Sequence, residues 1–481
     1  MFKHAPLSAA IVLAMAGQVM ADDSVSIQNQ MGDENIAEVL QSASPLSSAT
    51  QNQTGLGNNH MALQDGSSSQ IQQNTNGEYN AGYAEQLYEN GSTVLQQQTG
   101  SLNDSFTSQS LGSGNQAQQI QQGMGNHSLI WQDTQAASQG TTVQSGEGNE
   151  ANIEQLFGGA NNSSKITQSG YGNYSAAEHL THQDGQIEIF QEGAANWAYG
   201  DQRDGVGGTI GIQQNGTGNS VEVWQDNQTA SQASVTQLGQ TNEVILDQSF
   251  GRDNVATLMQ NGERNANWSD QYESTQSVTS ITQAGKDNLH FTYQTGDNHN
   301  LSITTTGQGN KIMASTWKGE KPGGQFGSSQ RAEINQNGAG NSVNLTQDGV
   351  AQLARLNQQG TANQMQTHQA DSNNELYFEQ NGSDNLLVAD QRGNDNYATG
   401  SSTGDANSIT VDQSGSGNQS STWQLYGSGN QATIKQTDGA NVAFVTQGGN
   451  ANQAIVNQSG ASMSATVNQY GNANQAKVIQ Q

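Results

Sequence analysis

Apolar and polar residues alternate in short segments that follow a regularly spaced asparagine. Positions two, four and six after it hold small or aliphatic residues and then a glutamine, whereas charged residues such as Glu150, Glu154 and Asp247 occupy the positions between. The inward set includes Ala37, Val39, Gln41; Ala151, Ile153, Gln155; Val343, Leu345, Gln347; and Ala454, Val456, Gln458. A period of two with charge on one side predicts β-strands with one buried face and excludes an amphipathic helix.

The asparagines that mark this pattern recur along nearly the whole chain. They are Asn35, Asn58, Asn80, Asn103, Asn126, Asn149, Asn173, Asn196, Asn219, Asn242, Asn265, Asn288, Asn310, Asn341, Asn363, Asn385, Asn407, Asn430, Asn452 and Asn474. Their spacing is 22 to 24 residues except between Asn310 and Asn341. Glycine always lies three positions before the asparagine, and glutamine usually lies six after it, with His179 and Thr316 as replacements. A fixed period of this length is typical of a solenoid.

Each repeat contains two related halves. Secondary motifs at Asn115, Asn254, Asn396, Asn418 and Asn441 fall about half a period from the main series. The sequence therefore predicts an all-β fold, a β-solenoid of about 20 stacked strand-turn-strand coils of 22–23 residues, with a cross-β, amyloid-like arrangement. The Gly-x-x-Asn turn supplies the backbone freedom for a reversal.

Amide side chains at matching positions are expected to stack in register inside the solenoid. A buried amide is costly unless it is hydrogen-bonded, and a column of identical amides satisfies each member from above and below. The predicted ladder residues are Gln283, Gly285, Asn288, Gln294, Gln336, Gly338, Asn341, Gln347, Gln447, Gly449, Asn452, Gln458, Gln469, Gly471, Asn474 and Gln480.

One segment interrupts the period. Residues 317–329 add about nine residues to one repeat and include Pro322. We expect an insertion loop there, between one solenoid block over residues 22–316 and a second over residues 330–481. An alternative role for the loop is partner docking. The last repeat, Gln469 to Gln480, is as regular as the internal ones, and we expect no cap after it.

The start of the chain predicts export. Residues 1–21 combine Lys3, an apolar run and a Val19-Met20-Ala21 site with cleavage after Ala21, as in a secretory signal peptide. No later segment is apolar enough to span a bilayer. The chain has no cysteine, so the fold uses no disulfide. Its net charge of -28 argues against a nucleic-acid partner, because nucleic-acid binding needs a basic surface.

These repeats resemble those of the curlin family, whose unit is Ser-x5-Gln-x-Gly-x-x-Asn-x-Ala-x3-Gln. The unit is matched by Ser277, Gln283, Gly285, Asn288 and Gln294, with His290 at the alanine position; by Ser231, Gln237, Gly239, Asn242, Val244 and Gln248; and by Gln469, Gly471, Asn474, Ala476 and Gln480. The resemblance covers roughly residues 24 to 481.

The resemblance implies a structural subunit of curli, the extracellular functional amyloid fibre of bacterial biofilms. It implies a secreted protein that passes an outer-membrane curli secretion pore, forms a homopolymer at the cell surface and contacts other curlin subunits. A nucleating minor curlin, or a monomeric surface adhesin or spacer rod, are the alternatives.

The sequence offers only weak candidates for catalytic or metal-binding residues. The histidines of the mature chain are scattered, and His60, His179 and His290 fall at inward positions, where a structural role is favoured. His179 and His182 are two possible metal ligands without a third. We therefore expect no catalytic residues, no cofactor and no metal.

Five tryptophans occupy outward positions. They are Trp131, Trp197, Trp224, Trp268 and Trp423. Isolated exposed aromatic residues are common on strands, but they also mark contacts between surfaces. The pattern favours a lateral contact between rods, or binding of flat aromatic dyes, as a hypothesis.

Overall fold

The computed structural model describes residues 23–314 and 323–481, which form 41 β-strands and no helix. The strands of the N-terminal half are β1 (Val25–Asp33), β2 (Ile36–Ser42), β3 (Ser48–Leu56), β4 (Asn59–Asp65), β5 (Ser68–Glu78), β6 (Ala81–Leu87), β7 (Asn90–Ser101), β8 (Asp104–Ser110), β9 (Gln116–Met124), β10 (His127–Asp133), β11 (Gln139–Glu147), β12 (Glu150–Leu156), β13 (Ser163–Tyr171), β14 (Tyr174–Leu180), β15 (Gln186–Ala194), β16 (Trp197–Arg203), β17 (Thr209–Thr217), β18 (Ser220–Asp226), β19 (Gln232–Gln240) and β20 (Glu243–Ser249).

The remaining strands are β21 (Val255–Glu263), β22 (Ala266–Thr275), β23 (Val278–Lys286), β24 (Leu289–Asp297), β25 (Asn300–Gln308), β26 (Lys311–Ala314), β27 (Gly324–Ser328), β28 (Arg331–Ala339), β29 (Ser342–Val350), β30 (Leu353–Thr361), β31 (Gln364–Ser372), β32 (Glu375–Ser383), β33 (Leu386–Asn394), β34 (Tyr397–Asp405), β35 (Ser408–Ser416), β36 (Gln419–Tyr426), β37 (Gln431–Gly439), β38 (Val442–Gly448), β39 (Gln453–Ala461), β40 (Ser464–Tyr470) and β41 (Gln475–Gln480).

The strands form two parallel sheets that face each other. The first sheet contains 20 strands, from β1 through β25 by odd numbers and then from β28 through β40 by even numbers. The second sheet takes the others. Each strand pairs in parallel with the strand one coil away and in register with it, so that Gly55 lies beside Gly77 and Gln347 beside Gln369. This is the β-solenoid that the period predicts, and the prediction of an all-β solenoid is confirmed.

The buried face of each strand is the one that the alternation predicts. Ala151, Ile153 and Gln155 of β12 have no exposed surface, and Ile187 and Ile189 of β15 have none either. Aliphatic side chains from both sheets meet in a thin core, with the amides beside them. Such a narrow core contains few apolar residues per coil, which agrees with a chain that is only 31% hydrophobic.

The insertion falls within one coil, between β26 and β27, which both lie between β24 and β29. The described part of the predicted loop, residues 323–329, includes strand β27, which pairs with β24 and β29. The prediction of a loop through residue 329 is therefore wrong for Gly324–Ser328, because the interrupted strand resumes before the next turn. Residues 317–322 and Thr316 lie outside the described residues, as does the predicted signal peptide, residues 1–21.

The core does not divide at this interruption. One continuous apolar cluster includes Ala314 before the insertion and Ala332 after it. The division falls further along, between Val411 and Ala432, where a second cluster begins. Between them β36 turns Ser420 and Thr422 inward instead of aliphatic residues. The hydroxyl oxygens of both have no hydrogen-bond partner among the described residues.

Candidate functional site

The asparagines of the repeat form a hydrogen-bonded column at the first turn. Asn341 shows the pattern: its Nδ2 donates to Asn310 Oδ1 over 3.1 Å and to the Gly360 carbonyl of the next coil over 3.0 Å. Its Oδ1 accepts from the backbone N–H and the Nδ2 of Asn363, over 3.1 and 3.2 Å. Asn288, Asn452 and Asn474 make the corresponding bond to the preceding asparagine. Asn341 thereby links its coil to both neighbours through one side chain.

The glycine three positions before each asparagine is required by stacking as well as by the turn. Gly338 has a φ of +130°, and a Cβ there would lie 1.9 Å from the Gly360 carbonyl oxygen. The carbonyl that accepts the asparagine bond is thus the one that a side chain would displace. Gly285 and Gly449 make the same close approach to the next coil, whereas Gly471, in the last coil, does not.

Glutamines form a further long column along each sheet, and the first sheet has a second, shorter one from Gln28 to Gln119. In the second sheet Gln294 donates to Gln325 over 2.7 Å, and Gln325 donates to Gln347 over 2.9 Å. Gln325 thus continues the column across the insertion, at the level where the sequence places Thr316. The column ends at Gln480, which accepts from Gln458 over 2.8 Å.

The long column in the first sheet is less regular. Gln283 accepts from Gln260, but the next position is Thr305. Gln336 resumes the column by donating to Gln358 over 2.9 Å, and Gln447 donates to Gln469 over 2.9 Å near its end. In both long columns the donor belongs to the lower-numbered coil, so the amides are oriented in one direction along the axis.

The second turn follows a rule that the sequence analysis missed. Between residues 89 and 251 one position of this turn alternates between a large buried polar residue and glycine. The series is Glu89, Gly112, Gln135, Gly159, His182, Gly205, Gln228 and Gly251. A Cβ at Gly112 would lie 2.8 Å from Glu89 Oε1, and one at Gly205 would lie 3.0 Å from the His182 ring. Each glycine therefore leaves room for its neighbour, and a search at twice the period would have found the alternation.

Glu89 is the one residue of this series with a carboxyl group. It is 1% exposed, and it accepts hydrogen bonds from Ser92 Oγ over 2.5 Å and Asn115 Nδ2 over 3.4 Å. Burial raises the pKa of this carboxyl above its ordinary value, and the two bonds partly oppose that shift. The exclusion of charge holds for the inward strand positions but not for this turn.

The inward histidines are neutral structural residues. Burial lowers the pKa of His60 to about 4 and the pKa of His179 and His290 to about 3. The rings of His179 and His182 lie 5.9 Å apart. They bond to Ser164 and to the Gly207 carbonyl. The described residues contain no group of three His, Cys, Asp or Glu side chains able to hold a metal ion.

Four of the five tryptophans lie on the outer face of the second sheet, whereas Trp423 lies on β36 of the first sheet, and their surroundings differ. Trp131 and Trp423 are 42% and 40% exposed. Trp197 stacks on Tyr174, Trp224 contacts Tyr199, and Trp268 meets Phe291 edge-on at 5.1 Å. The structure thus brings three of them into aromatic contacts along the stack, and it leaves Trp131 and Trp423 the more open.

The geometry defines a repetitive structural protein, a parallel β-solenoid held by axial amide columns. The curlin associated repeat family matches residues 382–413 and 404–437, which lie within this stack and include Asn385 and Asn407. The match confirms the resemblance to the curlin-repeat family. A comparison with curated protein sequences returned no match. No helix in residues 23–314 and 323–481 is long and apolar enough to cross a membrane.

Proposed function

We propose that this chain is a structural subunit of extracellular curli-type functional amyloid fibres, which serve the biofilm matrix and adhesion. In this proposal the secreted chain polymerises end to end, so that the last coil of one subunit stacks on the first coil of the next. The repeat family supports a structural role and association with curlin subunits. Passage through an outer-membrane curli pore is part of the same proposal.

The main support for the proposal is that the outermost described coils have unpaired strand edges and a partly exposed core. Strands β1 and β2 each pair with one neighbour, as do β40 and β41, so the outer side of each has no partner strand within the described ranges. Inward residues that are fully buried elsewhere are only partly buried there, among them Val39 and Val478. Unpaired strand edges over an open core are templates for another strand.

The amide columns support axial growth of the same kind. Gln480 Nε2 is bonded to the Ser464 carbonyl of its own coil, and its position continues a run in which Gln436 donates to Gln458 and Gln458 donates to Gln480. A further coil in register extends the column, so each addition gains backbone and side-chain hydrogen bonds together. Axial amide ladders of this type contribute to the stability of cross-β fibres.

The test is to incubate the purified chain from residue 22 to residue 481 and to follow thioflavin fluorescence with electron microscopy. We expect unbranched fibres and a cross-β diffraction spacing of about 4.8 Å. Monomeric rods that never elongate would overturn the proposal and favour an adhesin or spacer. Poor self-growth with strong seeding of another curlin would assign the nucleating role instead.

We further propose that the tryptophans of the outer face contribute to lateral association of the fibres. Trp131 and Trp423 are the first candidates because of their exposure. Replacing both with serine is expected to give thinner bundles in electron micrographs at an unchanged rate of elongation. Unchanged bundles after replacement of all five tryptophans would remove this role.

A further inference from the structure

A groove crosses the outer face of the second sheet where β16, β18 and β20 lie side by side. It has a volume of about 220 Å³, and its lining includes Tyr199, Asp201, Arg203, Trp224, Asp226 and Asp247. The groove faces away from the amide columns and from the ends of the stack. Its chemistry is therefore independent of axial assembly.

Aromatic rings form one wall of this groove. The Tyr199 and Trp224 rings have centroids 6.3 Å apart and are inclined at 62°. Tyr199 also continues a stack through Trp197, at 6.3 Å, to Tyr174. The aromatic row thus holds Tyr199 in position and presents it with Trp224 at an angle. Inclined aromatic faces attract a cation that lies against them.

Three of the six other lining residues carry carboxylates, and the remaining three are Arg203, Gln225 and Ser249. The carboxylates are those of Asp201, Asp226 and Asp247. The groove contains one cationic side chain, Arg203, whose Nη2 lies 3.1 Å from Asp201 Oδ2. Asp201 is only 4% exposed, and its second oxygen, Oδ1, has no hydrogen-bond partner among the described residues. The groove therefore has an excess of negative charge and a buried acceptor that the chain itself leaves unused.

The pKa values of two aspartates in the groove agree with negative charge that nearby cations do not balance. Burial raises the pKa of Asp201 to about 6, and nearby Glu178 and Asp226 add to this shift while Arg203 opposes it. Burial also raises the pKa of Asp247. A carboxylate whose charge is disfavoured by its surroundings gains from an added cation.

We propose that this groove binds a small organic cation of the quaternary ammonium type, held between the Trp224 and Tyr199 rings and the Asp201 carboxylate. Two aromatic walls suit an alkylated ammonium group, whereas calcium requires six to eight oxygen ligands. The volume fits a headgroup rather than a large planar molecule. We assign a free cation as the ligand, because the three carboxylates repel the phosphate of a lipid headgroup.

The test is a calorimetric titration of the freshly purified, unassembled full chain with choline chloride at constant ionic strength. It measures the affinity for choline. Trp224→Leu should weaken binding about tenfold, because the cation loses an aromatic face. The matched control is Trp131→Leu, which removes an exposed tryptophan at the same position of another coil. This control should leave the affinity unchanged.

Two further measurements separate binding from a structural role. The neutral isostere 3,3-dimethyl-1-butanol should bind more weakly than choline, because it lacks the charge. Choline affinity should fall between pH 7 and pH 5 as Asp201 becomes protonated, and Asp201→Asn should abolish that dependence. Circular dichroism checks that each variant is folded.

The proposal is overturned if choline does not bind, if the neutral isostere binds equally well, or if Trp131→Leu weakens binding as much as Trp224→Leu. Flotation with phosphatidylcholine vesicles distinguishes the source of the cation. Vesicle binding that is lost in Trp224→Leu would overturn the assignment to a free cation.

Discussion

Asn341 donates its side-chain N–H to Asn310 Oδ1 over 3.1 Å although 31 residues separate them in the chain. Elsewhere the same bond joins asparagines 22 to 24 residues apart, as between Asn363 and Asn341. The insertion is therefore accommodated outside the turn, and the column passes it unchanged. The asparagine column, rather than chain length, fixes the relation of one coil to the next.

Removal of one asparagine from the column should destabilise the fold markedly. Asn341→Ala deletes two donors and leaves the backbone N–H and Nδ2 of Asn363 without their acceptor. Buried groups left unpaired cost about 1–3 kcal/mol each, so we expect a loss of roughly 3 kcal/mol in the free energy of unfolding.

Denaturant titration followed by circular dichroism measures this change. Asn335→Ala is the matched control, because Asn335 makes a similar 2.9 Å bond to Asn357 on the solvent side. We expect less than about 1 kcal/mol for the control. Equal effects of the two variants would contradict the structural role of the inner column.

Two glycines of one turn should respond differently to alanine. At Gly338 the new Cβ meets the Gly360 carbonyl oxygen at 1.9 Å, whereas at Gly340, with a φ of +66°, no atom lies within 4 Å. Gly340→Ala should cost about 1–2 kcal/mol for the left-handed backbone alone. Gly338→Ala should cost more than about 4 kcal/mol, because the adjacent coils must separate. Thermal unfolding compares them, and similar melting temperatures would contradict this explanation.

One substitution in the core should increase stability. Thr422 is fully buried, and its hydroxyl has no partner among the described residues. Thr422→Val has nearly the same shape, removes that unpaired group and adds an aliphatic side chain between the two core clusters. We expect a gain of about 1 kcal/mol in the free energy of unfolding. Thr433→Val, on the solvent side of β37, is the control and should change little; a loss of stability in Thr422→Val would refute this view of the core.

Acid should destabilise the fold partly through His290. Its pKa is lowered from 6.5 to about 3 by burial, so the unfolded chain takes up a proton below pH 6.5 while the folded chain does not. The stability present above pH 6.5 is thus lost as the pH falls toward 3, by about 1.4 kcal/mol per pH unit in this window.

The His290→Gln variant isolates this contribution. Between pH 7 and pH 4.5 it should lose about 3 kcal/mol less stability than the wild type. Asp270, whose pKa burial raises to about 7, contributes with the opposite sign, but it is present in both proteins and cancels in the difference. An identical acid dependence of His290→Gln and wild type would exclude this role of His290.

The sequence predicted the solenoid because period and alternation are local signals repeated in every coil. It predicted the inward asparagines and glutamines for the same reason. It misplaced the end of the insertion, because β27 resumes the interrupted strand at Gly324 and the offset to Gln325 differs from every other coil. It placed the boundary between two solenoid blocks there, whereas the apolar core divides near Thr422, where inward hydroxyls replace aliphatic residues.

The alternation of inward and outward residues does not predict the groove on the outer face. Asp201 occupies an outward position of the alternation, yet it is only 4% exposed beside residues of its own and neighbouring strands, including Tyr199 and Trp224. Such burial depends on which large side chains stand one coil away. Only the three-dimensional register brings these residues together.

Cross-linking tests the stacking of the coils most directly, because the chain has no cysteine of its own. Asn335 and Asn357 lie side by side in β28 and β30, and Glu379 lies one coil further in β32. Under mild oxidation the monomeric Asn335→Cys, Asn357→Cys variant should form an intramolecular disulfide, whereas the Asn335→Cys, Glu379→Cys variant should not, because two coil spacings exceed disulfide reach. Failure of the first pair to cross-link, or equal cross-linking of the second, would contradict the parallel in-register solenoid.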